Sequence, residues 1–154
     1  IIKYRDEFRD VTIQLTASSI NFTMLDTWWE ELMELDVPIH SNPVLFPKEY
    51  SLRSIPEKYK QEQVTWLENW IEKVDTGDTL TATELHKITD WNEWKRNKVS
   101  RQIIEAQVAI SILNNNPYNE DYNKKFKHQV KVMDEWRNEN ISDLDYRFKE
   151  ILHA

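Results

Sequence analysis

Residues 37–60 read Val37-Pro38-Ile39-His40-Ser41-Asn42-Pro43-Val44-Leu45-Phe46-Pro47-Lys48-Glu49-Tyr50-Ser51-Leu52-Arg53-Ser54-Ile55-Pro56-Glu57-Lys58-Tyr59-Lys60. Val37–His40 has the character of a short buried strand, and Pro43 and Pro47 then bar a helix from running through the segment. Proline offers no backbone donor and fixes φ, so Asn42-Pro43 and Phe46-Pro47 are predicted to be extended or turned. Val44-Leu45-Phe46, caught between them, is too short for a helix. Ser54 and Glu57 have the spacing of a capping box and Pro56 suits a first turn, so a helix is expected from about Ser54. The stretch is thus a strand leaving a core, crossing a surface and handing over to a helix. Three of the chain's five prolines fall between positions 38 and 47, which predicts a stiff path.

Upstream, Val11–Leu15 alternates apolar and polar residues, the period-two signature of a strand, and Thr16-Ala17-Ser18-Ser19 is its polar exit. Asn21 or Thr23 can cap the helix that follows, in which Leu25, Trp28, Trp29, Leu32 and Met33 form one apolar face up to Asp36. Strand, helix and strand with short connections form the unit that builds parallel sheets, so the chain is read as α/β. Ligands of such sheets collect at the carboxyl ends of the strands, here Thr16–Ser19 and Ser41–Phe46. Ile1–Phe8 reads as the end of a surface helix.

Downstream the pattern is helical. Val64, Leu67, Ile71 and Val74 make a stripe, widened by Tyr59, Trp66 and Trp70, that Thr76-Gly77-Asp78 breaks. Thr81 and Glu84 form a second capping-box pair ahead of Leu85 and Ile88. Val99, Ile103, Ala106, Ile110 and Leu113 define the next helix, which Asn114-Asn115-Asn116-Pro117 stops. Tyr122, Phe126, Val130, Met133 and Trp136 define the last long one, and Asp134 and Arg137 are spaced to pair on its surface. A base-stacking platform of Trp66, Trp70, Trp91 and Trp94 is formally available, but aromatics on apolar helix stripes belong to cores.

The 154 residues carry a net charge of −7 and a pI near 5.1, without the basic footprint of a nucleic-acid binder. Lys124, Lys125, Lys127 and Lys131 read as a solvated helix face. No apolar run approaches the ~20 residues that span a bilayer and no signal peptide is visible, so a cytoplasmic, non-membrane protein is expected. Cysteine is absent, which rules out disulfides and thiolate metal sites built from this chain. The single glycine, Gly77, excludes glycine-rich phosphate loops. His40, His86, His128 and His153 have no metal-ligand spacing, and His40 is read as a hydrogen-bonded strand residue. A Ser41–His40 hydrolytic pair lacks a nucleophile elbow. The opening Ile1-Ile2-Lys3, without methionine, leads us to expect the later part of a longer protein.

Ile39-His40-Ser41-Asn42-Pro43-Val44, Phe46-Pro47 and Ser51-Leu52-Arg53-Ser54-Ile55-Pro56 resemble the end of the barrel in radical SAM proteins, most closely the small phage and metagenomic members with a twitch-type C-terminal region. Met133-Asp134-x-x-Arg137 is similar to their closing segment, although Phe148-Lys149-Glu150 lacks its proline. The resemblance implies the C-terminal strands of a parallel, partial β/α barrel in residues 1–53, followed by an α-helical C-terminal region in 54–154. It also implies S-adenosylmethionine and a 4Fe-4S cluster. The iron is held by a Cys-x3-Cys-x2-Cys loop that this chain lacks, and reductive cleavage yields a 5′-deoxyadenosyl radical that takes a hydrogen atom from substrate. By position, Thr16 and Ser18 on one strand exit, and Asn42, Val44 and Leu45 on the other, would contact the adenosyl moiety. The substrate, a peptide or a small molecule, is unspecified. The alternatives are a non-catalytic α-rich domain that binds a protein partner through its tryptophan-bearing helices, and a different α/β-barrel enzyme.

Overall fold

In the computed structural model, residues 12–35 and 37–153 are described. The expected surface helix at Ile1–Phe8, the strand's first residue Val11 and the helix end at Asp36 lie outside them. The chain is mixed α/β and mostly helical, with two strands among the described residues. Strand β1 (Ile13–Ala17) and strand β2 (Ile39–Pro43) pair in parallel with Ile13 opposite Ile39, Thr16 opposite Asn42 and Ala17 opposite Pro43. Helix α1 (Leu25–Glu34) makes the crossover after a 3-10 turn at Asn21–Met24.

The remaining helices are α2 (Glu57–Val74), α3 (Ala82–His86), α4 (Trp91–Arg96), α5 (Lys98–Asn114), α6 (Glu120–Arg137) and α7 (Tyr146–His153). Alternation along β1 turns Ile13, Leu15 and Ala17 toward the helices and leaves Gln14 and Thr16 exposed. The main core joins Ala17 and Ile39 to Leu25, Trp29 and Met33 of α1, Val64, Leu67 and Trp70 of α2, and Ala106, Ala109 and Leu113 of α5. Alanines on α5 bring it close to α2, against which it packs. Trp29 is fully buried, its ring edge-on to Trp70 with centroids 6.0 Å apart. A second cluster joins Ile55 and Tyr59 to Phe126, Val130, Phe148 and Ile151, clamping α6 and α7 onto the start of α2.

Local expectations meet the structure unevenly. Strand β2 runs two or three residues later than the Val37–His40 reading and takes in Pro43. The ladder explains this. Pro38 O accepts from Ile13 N and Val44 N donates to Ala17 O, so even-numbered residues face β1 and the ring nitrogen of Pro43 faces the outer edge. The Thr81/Glu84 capping box forms in full. The Ser54/Glu57 box does not: α2 begins after Pro56, Ser54 Oγ donates to Ser51 O, and Glu57 accepts from Lys60 Nζ and Tyr118 N. Asp134 accepts from Ile141 N rather than serving the surface pairing with Arg137 expected from its spacing. Trp136, placed on the apolar stripe of α6, is 79% exposed.

Candidate functional site

The two strands end side by side, and the turn after β1 is built by one residue. The Asn21 side chain accepts from Ser18 N (2.8 Å) and Ser18 Oγ (3.1 Å) and donates to Thr16 O (2.7 Å). Asparagine suits this because its amide carries both an acceptor and donors on a short stem. Sequence reasoning places Asn21 as a helix cap, whereas it acts as a latch on the strand exit. The Ser18-x-x-Asn21 spacing is the signal for it. The next residue, Ser19, donates from its backbone to Tyr50 O (2.9 Å) and from Oγ to Glu49 O (3.3 Å), tying this exit to the segment that follows β2.

Thr16 and Asn42 are neighbours in the ladder and share the face turned away from the helices. Gln14 and His40 occupy the same face one step down, with Gln14 Nε2 donating to His40 O at 2.8 Å. All four are exposed. Parallel strands are ordinarily covered on both faces; here the described residues cover one, and the other is wholly polar. Val44 is half-buried and continues the ladder, while Leu45 and Phe46 project at 61% and 76% exposure. The structure therefore gathers Thr16, Asn42, Val44 and Leu45 at one end of the sheet. Ser18 is beside them, with its hydroxyl engaged by Asn21.

Ser41 stands on the opposite face from His40, with its Oγ buried and unpartnered among the described residues, so the two cannot act as a hydrolytic pair. The tryptophans do not form a platform: Trp70 is buried, and Trp66 packs partly buried against the main core. Trp94 carries the Arg101 guanidinium over its ring at 3.9 Å. The Trp91 side chain lies outside the described part. Among the described residues no group of three or more His, Asp or Glu is placed to hold a metal ion, and no helix is long and apolar enough to cross a membrane.

A second concavity, of about 220 Å³, lies at the other end of β2, between α1, α3, α4 and α5. It was not foreseen from the sequence. Among the described residues its only acid is Glu105 on α5, whose carboxyl is pushed up to about 7 by burial.

No family model matches this chain, and neither the curated proteins nor the solved structures searched contain a match to it.

Proposed function

We propose that this chain is the C-terminal portion of a cytoplasmic radical S-adenosylmethionine enzyme acting on a peptide or small-molecule substrate. In this reading β1 and β2 are the last strands of a partial barrel and the helices after residue 53 close its substrate side. The observation that supports it is the open polar face of a parallel pair, with Thr16 and Asn42 adjacent at the carboxyl ends. A barrel turns one sheet face to its helices and the other to its lumen, and these strands divide their residues in that way.

The residues fit the two implied groups unequally. Without a cysteine, the chain has no thiolate for a 4Fe-4S cluster, so cluster ligation is not a task for these 154 residues. For S-adenosylmethionine the donor set is suitable: the Thr16 hydroxyl and the Asn42 amide can hydrogen-bond ribose or adenine edges, and Val44 with Leu45 offers an apolar wall to the base. When bound, S-adenosylmethionine supplies the radical that abstracts a hydrogen atom from substrate. The chain's own part is to hold the adenosyl group at the strand ends and keep water from it. Asn21, through Ser18 and the Thr16 carbonyl, fixes the first of those ends.

The test is the anaerobically purified full-length gene product, supplied with iron, sulfide and dithionite. Conversion of S-adenosylmethionine to 5′-deoxyadenosine, weakened in Thr16→Val and Asn42→Ala, supports the reading. A coding frame without a Cys-x3-Cys-x2-Cys loop upstream of these residues overturns it. A second reading, a non-catalytic helical domain that binds a protein partner, is favoured by the outward Trp136 on α6. It predicts no turnover and a partner interaction lost in Trp136→Ala.

A further inference from the structure

The cavity at the amino end of β2 has the make-up of a binding site, and it is separated from the strand exits by the length of the strand. Its walls are mainly apolar, with Met33 of α1, Ile39 of β2, Leu85 of α3 and Ile104 of α5 among them. A volume of about 220 Å³ far exceeds the roughly 10–15 Å³ that a single water requires. Among the described residues one carboxyl-bearing side chain lines this apolar space, that of Glu105, which has no hydrogen bond or ion pair there. A half-buried carboxyl without a partner is costly as an anion, and a cationic ligand removes that cost.

Among the described residues, the lining also includes His86 from α3 and Arg101 from α5, and it reaches His40 of β2 at its border with the exposed strand face. Arg101 is engaged elsewhere, its guanidinium over the Trp94 ring at 3.9 Å and its Nη2 donating to Lys95 O at 3.4 Å. An anionic ligand would be set against Glu105, and a purely apolar one would leave that carboxyl unanswered.

We propose that this pocket binds a small organic cation, an ammonium group on a short alkyl chain, with the ammonium on Glu105 and the chain against Met33, Ile39, Leu85 and Ile104. Charge and apolar area then act together, as ligand pockets combine an apolar lining with a few placed polar groups.

The test titrates the full chain at pH 8 with n-butylammonium and with its neutral counterpart 1-butanol, reading amide shifts by NMR. Saturable butylammonium shifts are expected at residues 102–106 and 37–40. Glu105→Gln is expected to raise the butylammonium Kd at least about tenfold, roughly 1.4 kcal/mol, and to leave 1-butanol unchanged. Leu85→Trp, which fills the cavity, should block both. Wild-type butylammonium affinity should also rise from pH 6 to pH 8, and should do so in a His40→Gln/His86→Gln background where, among the described residues of the lining, only Glu105 is left of the acid and histidine groups. Equal butylammonium binding by wild type and Glu105→Gln, shifts confined to other surfaces, or a pH-independent Kd in the histidine-free background would each overturn the proposal.

Discussion

Arg147 in α7 and Asp26 in α1 make a two-pronged ion pair across 121 residues of sequence, with Nη2 2.7 Å from Oδ2 and Nη1 3.0 Å from Oδ1. The same guanidinium donates to the Thr23 carbonyl, and its Nε lies 3.0 Å from Asp145 Oδ1 as an ion pair outside hydrogen-bond alignment. Arginine is buried here because its planar fork can serve several acceptors at once. The pair ties the end of the chain to the crossover helix.

Removing one partner leaves the other charge desolvated. Arg147→Met should therefore destabilise by about 3 kcal/mol, and Asp26→Ala by somewhat less, because the Asp26 side chain keeps 24% of its exposure. The double variant should fall short of additivity by about 1–3 kcal/mol. Urea midpoints at constant m would show this; strict additivity would mean that the pair is energetically idle.

Trp29 and Trp136 test which tryptophans belong to the core. Trp29 is enclosed against Trp70, so Trp29→Ala should cost about 3–5 kcal/mol through lost burial and a cavity. Trp136, 79% exposed, should give a change within about 0.5 kcal/mol on Trp136→Ala. Thermal unfolding of the two variants separates these outcomes, and comparable losses would contradict the packing described.

Lys60 is a buried ammonium with two jobs. It donates to Glu57 Oε1 at 2.9 Å and to the Asn116 carbonyl, while Glu57 also accepts from Tyr118 N at 2.7 Å. Burial raises the Glu57 carboxyl, but the hydrogen bonds from Lys60 and Tyr118 outweigh it and hold the group below its ordinary value. Lys60→Met should cost about 1–3 kcal/mol, since it leaves the Asn116 carbonyl without this donor. Hydrogen exchange at Tyr118 N should accelerate. A depressed carboxylate stabilises above its unfolded pKa and loses that contribution as pH falls through the folded one. The deficit of the variant should therefore shrink toward acid pH.

What the sequence makes legible is what neighbouring residues decide among themselves. Thr81 and Glu84 satisfy each other within one turn, and the Leu25–Met33 stripe needs only a periodicity, so both are readable. The same spacing fails at Ser54, where Tyr118, 61 residues beyond Glu57, claims that carboxylate jointly with Lys60. Trp136 has the right phase but lies beyond Val130, where the second core cluster on α6 ends. Of the candidate site, Thr16 and Asn42 follow from strand exits. Glu105 does not, since its environment is assembled from four separate helices and a strand.

The half-buried carboxyl of Glu105 also sets a pH dependence of stability. Its pKa near 7 lies above the unfolded carboxylate range, so the folded state holds the proton more tightly. The stabilising effect is complete below the unfolded pKa and is lost as pH rises through about 7. A fully enclosed carboxyl with that shift would lose about 3 kcal/mol; solvent at the cavity mouth reduces this to the order of 1–2 kcal/mol. Glu105→Gln should thus gain stability over wild type at pH 8 and little or none at pH 4. Urea unfolding at the two pH values checks it, and an equal gain at both would mean that ionisation of Glu105 is not the cause.

Asn21 offers the prediction that joins fold to function. Asn21→Ala removes the acceptor for Ser18 N and Ser18 Oγ and the donor to Thr16 O in one step, so it should cost about 1–2 kcal/mol. Thr16→Val keeps the branched strand residue and should change stability by less than about 0.5 kcal/mol, because the Thr16 side chain is exposed. If the strand exits hold an adenosyl group, both variants should weaken S-adenosylmethionine binding by the full-length protein. The first would act by freeing the turn and the second by deleting a contact. Only Asn21→Ala should speed amide exchange at Ser18. A binding loss in Asn21→Ala alone would assign the strand exit a purely structural role and leave Thr16 outside the site.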